Sequence, residues 1–135
     1  MAVQFVDTNI FLRLLTEDDP TKAARCRKLF ERALAGSVQL ATSELVIAEI
    51  VWTLLSYYAL PKRDVIEKVG QILNTPNLVV GGGDTLLEAL VLWGRCDCDF
   101  IDAYNAARMR RDGLAELFSY DTDFDALPFL RRLEP

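Results

Sequence analysis

Short apolar runs alternate with longer helical stretches along the whole chain, and this alternation constrains the fold more than any other feature. Val3–Val6, Val38–Ala41, Leu78–Val80 and Glu116–Ser119 read as strands, and Arg131–Leu133 as a short fifth. Between them the spacing predicts a helical segment at Ile10–Leu15 and helices over about Thr21–Ala35, Glu44–Tyr58 and Pro61–Leu73. Two more run from Asp84 to about Gly94 and from Asp99 to about Asp112, and Asp123–Leu127 reads as a helical turn. Start signals support these bounds: Asp18-Asp19-Pro20, Thr42-Ser43, Pro61 and Asp99 each precede a periodic apolar stretch. Gly81-Gly82-Gly83 lacks the lysine of a phosphate-binding loop and is expected to be a flexible turn. Strands that alternate with helices pair in parallel through right-handed crossovers. The expected fold is therefore α/β, a three-layer α/β/α sandwich with a mostly parallel sheet of four to five strands. At 135 residues the chain suits one domain over residues 1–135.

Several classes are excluded early. No apolar run approaches the roughly 20 residues of a membrane span. Met1-Ala2-Val3-Gln4-Phe5 has no basic start or cleavage site and reads directly as a strand. Three cysteines suit no disulfide framework, which points to a reducing, cytoplasmic setting. Cys96-Asp97-Cys98, with only Cys26 besides and no histidine, cannot supply four nitrogen and sulfur ligands to zinc. A net charge of −5 argues against strong non-specific adhesion to nucleic acid but leaves a nucleic-acid substrate open.

Against this frame the acidic residues stand out. Asp7 closes the run Val3–Val6, Glu49 interrupts Leu45–Trp52, Asp102 sits inside Phe100–Ala103, and Asp121 follows Leu117–Tyr120. Carboxylates seldom enter apolar surroundings unless a cation receives them. Without histidine, the simplest common partner is a hard, oxygen-liganded divalent ion such as Mg²⁺ or Mn²⁺. Asp7 and Asp121 directly follow strands, where the functional crevice of an α/β sheet lies. Asp99 and Asp102 begin a helix that could start at the same edge. Glu49 shares a face with Leu45 and Trp52 and is expected to point into the fold.

Each position also has a plain structural reading. Asp7-Thr8-Asn9 would cap the helix after the first strand. Asp99 would be an N-cap with Asp102 reaching back from the third position. Ser119–Phe124 would be a turn with an Asp-capped final helix. Glu49 resists such a reading, because no basic residue stands three or four positions away. The joint occurrence favours a site over coincidence.

The ordered set Val6-Asp7-Thr8-Asn9, Ser43-Glu44-Leu45-Val46-Ile47-Ala48-Glu49-Ile50-Val51-Trp52, Asp99-Phe100-Ile101-Asp102-Ala103 and Ser119-Tyr120-Asp121-Thr122-Asp123-Phe124-Asp125 resembles PIN-domain proteins, most of all VapC toxins of toxin–antitoxin pairs. The resemblance spans essentially the whole chain. It implies a metal-dependent endoribonuclease with catalytic Asp7, Glu49, Asp102 and Asp121. Asp7 and Asp102 would be primary ligands of Mg²⁺ or Mn²⁺, with Glu49 and Asp121, and Asp99 or Asp123 besides, binding a second ion or a metal-bound water. Thr8, Asn9, Asp99, Ser119 and Asp123 would support them. It also implies an RNA substrate, a cognate antitoxin and a homodimer. The apolar stretch Trp52, Leu55, Tyr57, Tyr58 and Leu60 is the expected dimer surface.

Two rival readings remain at this level. One is a phosphotransfer domain of the receiver or haloacid-dehalogenase-like kind, but the latter commonly need Asp-x-Asp after strand one, where here Asn9 stands in the second place, and neither has a place for Glu49 in an apolar helix. The other is a non-catalytic binding module whose acidic pocket receives a partner arginine. For either substrate class the positive charge matters. Lys22, Arg25, Lys28 and Arg32 form one helical stripe, the expected RNA contact, and Arg108, Arg110 and Arg111 a second cluster.

Overall fold

The computed structural model describes residues 2–135, which fall into two compact units, one through Gly83 and one over Asp84–Pro135. The first unit runs β1 (Val3–Phe5), α1 (Thr8–Thr16), α2 (Pro20–Leu34), β2 (Gln39–Thr42), α3 (Glu44–Ser56), α4 (Lys62–Leu73) and β3 (Leu78–Val80). The second runs α5 (Gly83–Arg95), α6 (Phe100–Arg111), β4 (Glu116–Phe118), a 3-10 turn (Thr122–Ala126) and β5 (Arg131–Leu133). Every expected strand forms, and every pairing is parallel. The hydrogen bonds group them as a three-stranded ladder, β1-β2-β3, and a two-stranded one, β4-β5. The α/β class read from the sequence holds.

Local chemistry sets the helix starts. Asp19 accepts from the Lys22 N–H at 3.1 Å, with Pro20 in the first turn, and Ser43 accepts from the Val46 N–H at 3.2 Å. The core of the first unit gathers Phe11, Leu40, Ile47, Ile50, Leu54, Val65 and Val69, all buried, with Phe11 against Phe30 at 5.5 Å between ring centres. The second unit buries Leu86, Ala103 and Ala106, and packs Trp93 edge-on to Phe100 at 5.6 Å. Among the described residues no helix is long and apolar enough to cross a membrane.

Two expectations are corrected. The helix after β1 starts at Thr8, not Ile10, because Asp7 already takes the N-cap conformation. Of the triple glycine, Gly81 and Gly82 form the expected turn, but the third residue does not. Gly83 opens α5, and Gly82 adopts φ +70 with its α-carbon so close to Glu44 that a Cβ would overlap the Glu44 carboxylate. A left-handed backbone and a close approach are both uses of glycine.

Candidate metal centre

In the first unit the parallel strands end at one edge, and the chain is pinned there just before Asp7. The Val6 N–H donates to the Ala41 carbonyl at 2.8 Å, and the buried Thr42 hydroxyl donates to the Val6 carbonyl at 2.8 Å. Asp7 follows in the N-cap position of α1, yet its carboxylate caps no amide. The capping explanation for Asp7 therefore fails, and its exposed carboxylate stands at the positive end of a helix. Thr8 is buried, and its hydroxyl oxygen has no hydrogen-bond partner among the described residues. Asn9 is exposed in the first turn of α1.

Glu49 is a correction. It does not point into the fold: it is exposed, on the same outward face as Leu45, 81% exposed, and Trp52, 68% exposed. The reason lies in α3, which carries apolar residues all round, so that its outer face resembles a core face in sequence. Val46, Ile47, Ile50, Val51 and Leu54 form the buried side instead. Desolvation thus gives no argument for a ligand of Glu49.

In the second unit the acids do come together. Asp99 caps α6 as its spacing predicts, accepting from the Asp102 N–H at 2.9 Å. Asp121 follows β4 through Ser119, whose N–H donates to the Leu133 carbonyl at 3.0 Å. The Asp121 N–H donates to Ser119 Oγ at 3.0 Å, and Asp121 accepts from the Asp123 N–H at 2.9 Å. These local bonds aim three carboxylates at one point: one oxygen each of Asp102, Asp121 and Asp123 lies within 4.8 Å of the others. Oxygens bound to a single hard cation at 2.0–2.6 Å are separated by at most about 4–5 Å, so the spacing suits such an ion.

The electrostatics of this cluster are unbalanced. Burial, then the charges of Asp99 and Asp121, then hydrogen bonds to those two carboxyls push Asp102 up to about 6 from the usual 3.8. Asp123 is also raised, first by the charge of Asp121, then by burial and by Asp97 and Asp99. Crowded carboxylates of this kind are relieved by a proton or by a cation.

The basic residues differ in availability. Lys22, Arg25, Lys28 and Arg32 are exposed, and none forms an ion pair among the described residues. Arg110 and Arg111 are instead tied to Glu88 at 3.4 and 3.1 Å, and Arg110 lies over the Phe129 ring at 3.7 Å. The second cluster is thus largely engaged in joining α6 to its neighbours. A cleft of about 290 Å³ between α1 and α2 is lined by Asn9, Ile10, Arg13, Lys22, Arg25 and Cys26. Sequence reading did not single out Arg13, although it stands one helical turn after Asn9, the spacing that places two side chains on one face. Of the expected dimer surface, Trp52 and Tyr57 are exposed, whereas the Tyr58 hydroxyl donates to Asp18 at 2.7 Å within the first unit.

Comparison with known proteins follows the same line. The family described as PIN domain matches residues 5–130. The chain is 30% identical over 137 residues to "Ribonuclease VapC13" of Mycobacterium tuberculosis (strain ATCC 25618 / H37Rv), covering 95% of this chain and 97% of that one. It is 26% identical over 127 residues to "VapC ribonuclease" of Aquifex aeolicus (strain VF5), covering 94% and 93%. Among solved structures, it is similar to Mycobacterium tuberculosis VapC20, described as a sarcin-ricin loop cleaving toxin, at 21% identity and a TM-score of 0.42, covering 99% and 100%.

Proposed function

Because the chain belongs to the PIN-domain family, we propose that it is a VapC-type endoribonuclease, the toxin of a toxin–antitoxin pair, and that Mg²⁺ or Mn²⁺ serves its reaction. The VapC ribonucleases that match it along almost their whole length support the activity. The observation that carries the metal is the meeting of Asp102, Asp121 and Asp123 oxygens within 4.8 Å. The donor set is all carboxylate, suited to a hard cation and unsuited to zinc or copper.

A bound divalent ion lowers the pKa of an attacking water and offsets charge on the phosphate and the leaving oxygen. The residues do the rest. Asp102, raised to about 6, is largely a carboxylate at neutral pH, and it would act as a ligand in that form. Asp99 holds the Asp102 backbone through a 2.9 Å hydrogen bond and so fixes the first turn of α6. Ser119 and the 3-10 turn orient Asp121 and Asp123 in the same way. In the hydrolysis one phosphorus–oxygen bond forms to the attacking water oxygen, another breaks, and the departing sugar oxygen takes a proton.

Asp7 and Glu49 are assigned to the same reaction on their motif positions. For Asp7 the uncapped carboxylate supports this; for Glu49 the motif alone does. The exposed amide of Asn9 is suited to hold a phosphate oxygen, and the buried Thr8 hydroxyl, which has no partner among the described residues, is suited to hold a neighbouring ligand side chain. A single PIN domain over residues 1–135 is supported by the family match across residues 5–130. The reading further includes a cognate antitoxin, a homodimer and a cytoplasmic location.

The test is cleavage mapping of structured RNA with purified protein. Fragments with discrete ends, suppressed by adding the co-purified antitoxin, are expected. Intact RNA at every protein concentration, with Mg²⁺ and Mn²⁺ present, contradicts the reading.

A further inference from the structure

The basic stripe on α2 is divided by the structure. Lys22 and Arg25 line the cleft with α1, whereas Lys28 and Arg32 do not. The facing wall comes from α1 and holds Asn9, Ile10 and Arg13. Asn9 stands two residues after Asp7, about 3 Å along the helix axis. The cleft, about 290 Å³, is near the small end of the range for ligand sites.

Its charges are arranged for an anion. Lys22 and Arg25 have no acidic partner among the described residues. Arg13 is held in place by Asp18 at 3.1 Å, and Asp18 also accepts from Tyr58 at 2.7 Å, which spreads part of its charge. Asp19 spends one oxygen on the Lys22 N–H at 3.1 Å. Cys26 adds no negative charge, since burial pushes its thiol up despite the lowering effect of Arg13. The cleft therefore retains a surplus of positive charge in a protein whose net charge is −5.

We propose that the cleft between α1 and α2 is a phosphate-binding subsite for the RNA strand, in which Lys22 and Arg25 hold a backbone phosphate outside the bond that is cut. This rests on the ribonuclease reading and names where the substrate is gripped. Arg13 braces the site from α1, and Asn9 presents both a donor and an acceptor to the adjoining nucleotide. Lys28 and Arg32, although also exposed and basic, belong to the solvated face.

The experiment measures binding of a fluorescein-labelled single-stranded RNA of mixed sequence, in EDTA, by anisotropy between 50 and 200 mM salt (about a fourfold range). Each phosphate contact contributes about 0.7 to the logarithmic salt slope of single strands. Lys22→Ala/Arg25→Ala is expected to lower the slope by about 0.7 and weaken binding roughly five- to tenfold at the low-salt end. Lys28→Ala/Arg32→Ala is expected to change affinity less than about twofold. The charge-conserving pair Lys22→Arg/Arg25→Lys should keep the slope, which separates lost charge from a damaged helix. An unchanged slope in the cleft variant, or an equal loss in the Lys28/Arg32 variant, overturns the subsite while cleavage by the wild type leaves the ribonuclease reading standing. Failure of the wild type to bind or cut RNA overturns both.

Discussion

Asp99 accepts a hydrogen bond from the backbone N–H of Asp102 at 2.9 Å, so the residue that caps α6 also places a negative charge beside the Asp102 side chain. Two roles are combined in one contact. The cap stabilises the helix by about 1 kcal/mol, and the same carboxylate, with Asp121, makes ionisation of Asp102 costly. A site that repels itself when empty is prepared for a cation.

The first prediction follows from that repulsion. Asp102 titrates at about 6 in the folded protein, above its ordinary 3.8. Between these values the folded chain retains a proton that the unfolded chain has released. Stability of the metal-free protein therefore falls as pH rises through this window and levels off above about 6. Asp102→Asn should flatten this profile and raise stability in EDTA at pH 7.5 by ~1–2 kcal/mol after solvent screening. Urea denaturation at several pH values measures it, and an unchanged slope in the variant contradicts it.

Glu49 can be separated from its surroundings because it is exposed. Glu49→Gln should alter unfolding stability by less than about 0.5 kcal/mol. If the acid serves the reaction, the same variant should cut RNA at least about tenfold more slowly. Wild-type cleavage rates together with wild-type stability would return Glu49 to a surface role.

Gly82 offers a purely structural test. Gly82→Ala introduces a Cβ into the Glu44 carboxylate at φ +70. The left-handed backbone alone costs about 1–2 kcal/mol. Thermal unfolding should show a loss of about 1–3 kcal/mol. Adding Glu44→Ala should recover part of it. A neutral Gly82→Ala would mean that the turn gives way freely.

Trp52, Leu45 and Tyr57 leave apolar surface exposed on and after α3. A homodimer that covers them should sediment at twice the mass of the 15.2 kDa chain at tens of micromolar. Trp52→Glu should shift it to the monomer. A wild-type monomer without antitoxin at that concentration rules out this surface as a dimer contact.

Much of this architecture was legible in the residues. The caps at Asp19, Ser43 and Asp99 depend on short-range spacing, and each forms the bond that its spacing predicts. Asp121 was legible because a carboxylate after an apolar run marks the end of a strand. The errors have physical causes. α3 is apolar on both faces, so periodicity gave Glu49 no reliable direction. The role of Gly82 depends on Glu44, a contact between residues far apart in sequence that no local pattern encodes. Arg13 was overlooked because its partners Lys22 and Arg25 lie on a different helix, and only packing of α1 on α2 joins them in one cleft. Asp123, expected to have a minor part, stands with Asp102 and Asp121 because the 3-10 turn folds it back.

The most direct measurement is cleavage of an end-labelled structured RNA by wild-type protein and by Asp102→Asn, each in Mg²⁺, in Mn²⁺ and in EDTA. The wild type should cut in either metal and stop in EDTA, and activity should return when the metal is restored. Asp102→Asn should lose about a hundredfold or more in either metal, since a ligand to the reacting metal has been removed. Full cleavage in EDTA, or by Asp102→Asn, would contradict the account.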